Sequence, residues 1–190
     1  MELERRAFAG VIGAAGASAL AGCSSLTGGG RSEETVTATE PNADGTGAVG
    51  ELRYLIETEQ GDNDIGIQLT RMATGTASND EGRFTYVTAT YDSTASDRSA
   101  FVNEVGVFAR SYATYVGAGG EAATDFTVTV EDRYDGQPTS FGIARKWARK
   151  YNDGTYSANQ YLNAIVSTFA HPTTTSGETE SNTSRRGEKL

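Results

Sequence analysis

Apolar residues recur along this chain with two different periods, and the switching between them divides residues 49–171 into elements. The clearest segment carries Phe101, Val105, Phe108, Tyr112 and Tyr115 at alternating steps of four and three, which is one face of an α-helix. This spacing predicts a helix from Asp97 to Val116, ended by Gly117, Gly119 and Gly120. Period two marks strands at Ile65, Ile67 and Leu69, at Phe84 and Tyr86 onward to Tyr91, and at Phe126, Val128 and Val130. The first two are expected to pair across a loop from Gly75 to Gly82. Asp135-Gly136 is expected to turn the third into a fourth at Thr139 to Ile143. Ser157 followed by Gln160 has the form of a capping box for a last helix carrying Tyr161, Leu162, Ile165, Val166 and Phe169. His171-Pro172 closes it.

Two short segments read both ways. Leu52, Leu55 and Ile56 fit a helix stopped by Gly61, whereas Leu52, Tyr54 and Ile56 fit a strand. Residues 144–151, around Trp147 and ahead of Asn152-Asp153-Gly154, are equally open. Taken as helix in the first case, the order is α-β-β-α-β-β-α. That predicts an α+β fold, an antiparallel four-stranded sheet with helices packed on one face.

The segments on either side hold almost no large apolar residue. Residues 24–48 are rich in Ser, Thr, Gly and Glu, a composition that cannot bury enough surface to offset ordering, and they are expected to form a flexible tether. Residues 172–190 repeat that composition and are expected to be a disordered tail. The expected division is thus 1–22, 23–48, 49–171 and 172–190.

Residues 1–22 have the layout of a targeting segment. Arg5-Arg6-Ala7-Phe8 leads into a weakly apolar stretch from Phe8 to Leu20, too short for the roughly 20 residues of a membrane-spanning helix. The stretch ends in Leu20-Ala21-Gly22-Cys23, and Cys23 is the only cysteine. This order resembles a twin-arginine export signal (Arg5, Arg6, Phe8) running into the lipobox of a lipoprotein (Leu20, Ala21, Gly22, Cys23). Glu2 and Glu4 make the leading segment less basic than is usual for such signals. The resemblance implies export, cleavage before Cys23, and a lipid on the Cys23 thiol that anchors the chain to the outer face of the cytoplasmic membrane. A single acyl chain holds only marginally, so a stable anchor implies a two-chain lipid.

Charge changes the picture further. The net charge is −9, and removing residues 1–22 takes away two acids and two bases and leaves it unchanged. The three lysines are Lys146, Lys150 and Lys189. A nucleic-acid partner would need a basic footprint, so none is expected. The acidic surface together with the lipobox resembles surface lipoproteins of haloarchaea. The run Trp147…Tyr151-x-x-Gly154…Tyr161 is similar to an uncharacterised domain of such proteins over roughly residues 84–170, a resemblance that implies no activity.

Candidate chemistry is sparse. After Cys23 no thiolate remains for a disulfide or a metal. His171, the one histidine, is expected at a helix end, where its protonated ring suits the dipole. No Gly-x-Ser-x-Gly elbow, phosphate loop or dinucleotide fingerprint occurs. Asp62-Asn63-Asp64 and Asp132-x-x-Asp135 offer oxygen ligands without the spacing of a calcium loop, so no metal and no cofactor is expected. Glu104 borders the apolar stripe beside Phe101 and Phe108 and needs a partner there, expected from Arg145 or Arg149. Trp147, Tyr151, Tyr156 and Tyr161 concentrate in the last third and are the candidate binding patch for a glycan, a peptide or another envelope protein. Asn182-Thr183-Ser184 matches a glycosylation acceptor.

Three functions fit these residues. The leading one is a lipid-anchored surface domain that binds without catalysis. The alternatives are a small extracytoplasmic hydrolase pairing Glu104 with Asp97 or Asp125, and an accessory subunit of a membrane transporter or envelope complex.

Overall fold

A computed structural model describes residues 33–41, 47–62, 65–79, 82–120 and 124–171. Strand β1 is Glu34–Thr35, helix α1 Val49–Asp62, strand β2 Ile67–Asn79 and strand β3 Gly82–Ser93. Helix α2 follows at Arg98–Gly117, then β4 at Asp125–Glu131, β5 at Ser140–Ala144, α3 at Arg145–Asn152 and α4 at Ala158–Val166. The class is α+β, with five strands in the spatial order β1-β2-β3-β4-β5.

The sheet is mixed and not antiparallel throughout. β3 and β4 run parallel, with Val87 opposite Phe126 and Tyr91 opposite Val130. The cause is α2, whose 20 residues carry the chain back along the sheet to the end where β3 began. The other three pairings are antiparallel.

β2 is also far longer than the Ile65–Leu69 alternation predicted. It runs through Gly75 to Asn79, where a loop was expected. Gly75 has a packing role there: a Cβ would lie 2.6 Å from the Tyr86 hydroxyl opposite it. A further correction concerns the expected tether, because residues 34–35 pair with Thr74 and Ala73 and form the fifth strand. Val36 is buried beside them, and its carbonyl accepts from the Arg53 guanidinium at 2.9 Å.

One sheet face is apolar: Met72, then Val87, Ala89 and Tyr91, then Phe126, Val128 and Val130, then Phe141 and Ile143 are all buried. α2 crosses this face. Phe108 meets the rings of Tyr91 at 4.9 Å, Phe141 at 5.7 Å and Phe126 at 6.2 Å. Leu52 and Ile56 of α1, Ala148 of α3, and Tyr161 and Ile165 of α4 join the same core. The helix ends follow local chemistry. The Asp97 side chain accepts from the Ala100 N–H and caps α2. Ser157 and Gln160 cap α4 reciprocally, as the sequence predicts. Residues 50–58 and 145–151 are both helical, which resolves the two open segments. Among the described residues, no helix is long and apolar enough to cross a membrane.

Candidate functional site

Two places carry polar or aromatic chemistry beyond packing. The first is built on Glu104. Alternation along β3 puts Tyr91 and Ser93 on the apolar face, and the second turn of α2 brings Glu104 over them. Tyr91 Oη donates to Glu104 Oε2 at 2.9 Å, Ser93 Oγ donates to the same oxygen at 2.7 Å, and the Thr94 N–H donates to Oε1 at 2.9 Å. Glu104 is only 2% exposed. A buried carboxylate is costly unless hydrogen-bonded, and here both oxygens are bonded by neutral donors. The guanidinium partner expected from Arg145 or Arg149 is not what holds it. Those two arginines act electrostatically on Tyr112, two turns further along α2.

The cluster extends outward. Gln137 Nε2 donates to Ser93 Oγ at 2.9 Å, and Gln137 Oε1 accepts from the Tyr134 N–H at 3.0 Å. Gln137 belongs to the Val130–Gln137 segment, which lines an open cleft of about 560 Å3. Asp132 in this segment sits at φ +48°, an unusual conformation for a residue with a side chain. Burial and the Glu104 carboxylate push the Tyr91 phenol well above the ordinary tyrosine range, so it remains a donor.

The hydrolase pairings are not brought together. The Asp97 carboxylate is engaged in capping α2. Asp125 lies five positions before Val130 on β4, roughly 16 Å along the strand, and its neighbours in register are Tyr86 and Ala144. Burial raises the Asp125 pKa, and Lys146 and Arg145 pull it back.

The second place is the α3–α4 surface. Trp147, Tyr151 and Tyr156 are half-buried, while Tyr161 is 2% exposed and belongs to the core. The Tyr161 hydroxyl donates to the Ala109 carbonyl at 3.1 Å, and its ring stacks under Tyr151 at 5.2 Å and 18°. Lys150 Nζ lies 5.0 Å from the centre of the Tyr156 ring. Three of the four residues of the aromatic patch therefore reach the surface, and the fourth supports them from beneath.

His171 is exposed and follows the Ala170–Ser140 bridge, five residues past the end of α4, so it does not sit at a helix terminus. Asp132 and Asp135 are exposed loop residues. Among the described residues, no group of three or more His, Cys, Asp or Glu is arranged to hold a metal. The signal and lipobox residues Arg5, Arg6, Phe8, Leu20, Ala21, Gly22 and Cys23, the side chains of Asp62-Asn63-Asp64, and Asn182 lie outside the described residues.

Tyr91, Ser93, Thr94 and Gln137 are the members of this cluster that sequence reasoning missed. One signal was present for Ser93: it continues the 87, 89, 91 alternation as a polar residue in an apolar register. Gln137 carried none, since it stands 44 residues from its partner in a polar loop.

Neither curated proteins nor solved structures give a match to this chain. A family model described as "Domain of unknown function (DUF8159)" matches residues 51–175, which among the described residues runs from the third residue of α1 through α4 and takes in strands β2 to β5. The chain belongs to the DUF8159 family.

Proposed function

We propose that this chain is a lipid-anchored interaction domain held at the outer face of the cytoplasmic membrane through Cys23, with Trp147, Tyr151 and Tyr156 as its contact surface. The observation that carries the reading is the contrast between the two candidate places. Glu104 is closed off, with both oxygens already bonded and, among the described residues, no second carboxylate engaged with it. The aromatic rings of α3 and the following turn are half-buried, rigidly backed by Tyr161, and beside exposed cations. Rigid aromatics with a wet edge are the residues that dominate interfaces.

The test is affinity capture from native membranes at high salt, comparing wild type with the Trp147→Ala, Tyr151→Ala double variant. Partners retained by wild type and lost by a folded variant support the reading. Identical retention by both would move the contact surface elsewhere. Turnover of any ester, peptide or glycoside by the wild-type domain, abolished in a folded Glu104→Gln, would favour the hydrolase.

A further inference from the structure

Three buried side-chain oxygens have no hydrogen-bond partner among the described residues: Glu51 Oε1, Gln60 Oε1 and Ser111 Oγ. Gln60 is half-buried and stands near the far end of α1. Glu51 and Ser111 are 3% and 2% exposed, and the packing of α1 on α2 gathers them into one interface. Tyr115 Oη donates to the Gly47 carbonyl at 2.7 Å just ahead of α1, and Arg110 pairs with Glu59 near its other end. These two ties run α1 antiparallel along α2. Val107, Ser111 and Tyr115 stand four apart on α2, a stripe that Tyr115 turns toward the start of α1. Glu51, Leu55 and Glu59 stand four apart on α1, a stripe that Glu59 turns toward α2. Ser111 precedes Tyr115 by four residues and Glu51 follows Gly47 by four, so both lie roughly 6 Å in from the same end of the interface.

The two groups have complementary needs. A carboxylate oxygen accepts, a serine hydroxyl has a hydrogen to donate, and the two are not bonded to each other. The arginines of these two helices are engaged elsewhere: Arg53 with Glu57 and the Val36 carbonyl, Arg110 with Glu59. The first turn of α1 favours the Glu51 charge through the helix dipole but places no donor on Oε1. Glu104, buried to a similar degree, has three donors. We infer that one water molecule is bound between α1 and α2, donating to Glu51 Oε1 and accepting from Ser111 Oγ. Water meets both needs at once, and buried waters join otherwise unbonded polar groups in this way. The position gives this water a role. The chain leading into the domain is tied to α1, where the Gly50 carbonyl accepts from the Thr39 N–H at 3.0 Å and Arg53 holds the Val36 carbonyl. Joining Glu51 to Ser111 couples that unit to the central helix.

A crystal structure of the full chain, grown once from sodium chloride and once from rubidium chloride, locates the ligand. The expected result is one peak at about 2.7–3.2 Å from both Glu51 Oε1 and Ser111 Oγ, without anomalous signal in the rubidium crystal. A direct Glu51–Ser111 hydrogen bond, a dry interface, or another protein group donating to Glu51 Oε1 overturns the inference. So does an anomalous peak, which would make the ligand a cation. Native-state hydrogen exchange of the full chain tests the same site in solution. Ser111→Ala should speed exchange of the α1 amides several-fold in the native background. It should add nothing in a Glu51→Ala background, because the first substitution has already released the shared water. No change in the native background, or the same several-fold change in both, overturns the inference. Circular dichroism checks that each variant is folded, and the wild-type crystals decide the matter if Glu51→Ala is not.

Discussion

Replacing Glu104 by glutamine changes one oxygen into an NH2 group and leaves shape almost unaltered, so it isolates the hydrogen bonding of the buried cluster. In the native arrangement every contact is a donor pointing at the carboxylate: two hydroxyls on Oε2 and one backbone N–H on Oε1. A glutamine with its carbonyl toward Tyr91 and Ser93 sets its NH2 against the Thr94 N–H, which cannot rotate away. The opposite orientation strands the two hydroxyl hydrogens, and Ser93 Oγ already accepts from Gln137 Nε2. Either way at least one donor loses its acceptor, the part-buried Thr94 N–H or a buried hydroxyl, at about 1–3 kcal/mol for a buried group, and the surviving bonds lose their charge-assisted strength. The expected cost is about 2–4 kcal/mol, a large part of the stability of a domain this size. Urea unfolding measures it as a lower midpoint at unchanged slope. Tyr91→Phe removes one donor and leaves the carboxylate two, so it is expected to cost about 1–2 kcal/mol. Combined with Glu104→Gln it should be non-additive by at least about 0.5 kcal/mol. A Glu104→Gln cost within about 0.5 kcal/mol of zero would refute the reasoning, because that is what a solvated surface carboxylate gives.

Three further outcomes are open to direct measurement. Phe108→Ala removes a ring packed against Tyr91, Phe126 and Phe141 and should cost about 3–5 kcal/mol, whereas His171→Ala, exposed past the last helix, should leave the unfolding midpoint unchanged. Burial pushes the phenols of Tyr91, Tyr112 and Tyr161 above their ordinary value. The folded state therefore keeps protons that the unfolded state releases. Stability is fully present below about pH 10 and should fall above it, by up to about 4 kcal/mol per pH unit if all three stay protonated when folded. Alkaline denaturation followed by tyrosinate absorbance checks this, and tyrosinate appearing without unfolding would contradict it. Converting Arg5 and Arg6 together to lysine should leave a folded precursor in the cytoplasm, read by fractionation and immunoblot, if the resemblance to a twin-arginine signal holds.

Where local chemistry settles the outcome, the sequence is legible. The stripe Phe101, Val105, Phe108 and Tyr112 with Asp97 ahead of it specifies α2, and the Ser157–Gln160 box specifies the start of α4. Strand direction is different, because β3 and β4 carry the same alternation whichever way they pair, and only the return path of α2 makes them parallel. β2 was hidden for another reason. Ala73, Gly75 and Ala77 carry too little apolar surface to register as a strand, and Gly75 is small because the Tyr86 ring lies against it. β1 is two residues on a sheet edge and has no pattern of its own. Glu104 is recognisable as a buried carboxylate from its place between Phe101 and Phe108, but its partners are not. Tyr91, Ser93 and Thr94 come from β3 and its end, and nothing local announces that the crossover lays α2 over them.

The proposed anchor has two parts, a mature chain that begins at Cys23 and a lipid on its thiol. Mass spectrometry of the protein extracted from native membranes measures both at once. The predicted result is an amino-terminal peptide starting at Cys23 and heavier than its sequence by the mass of a two-chain lipid. A peptide starting at Met1 with an unmodified Cys23 thiol would contradict it.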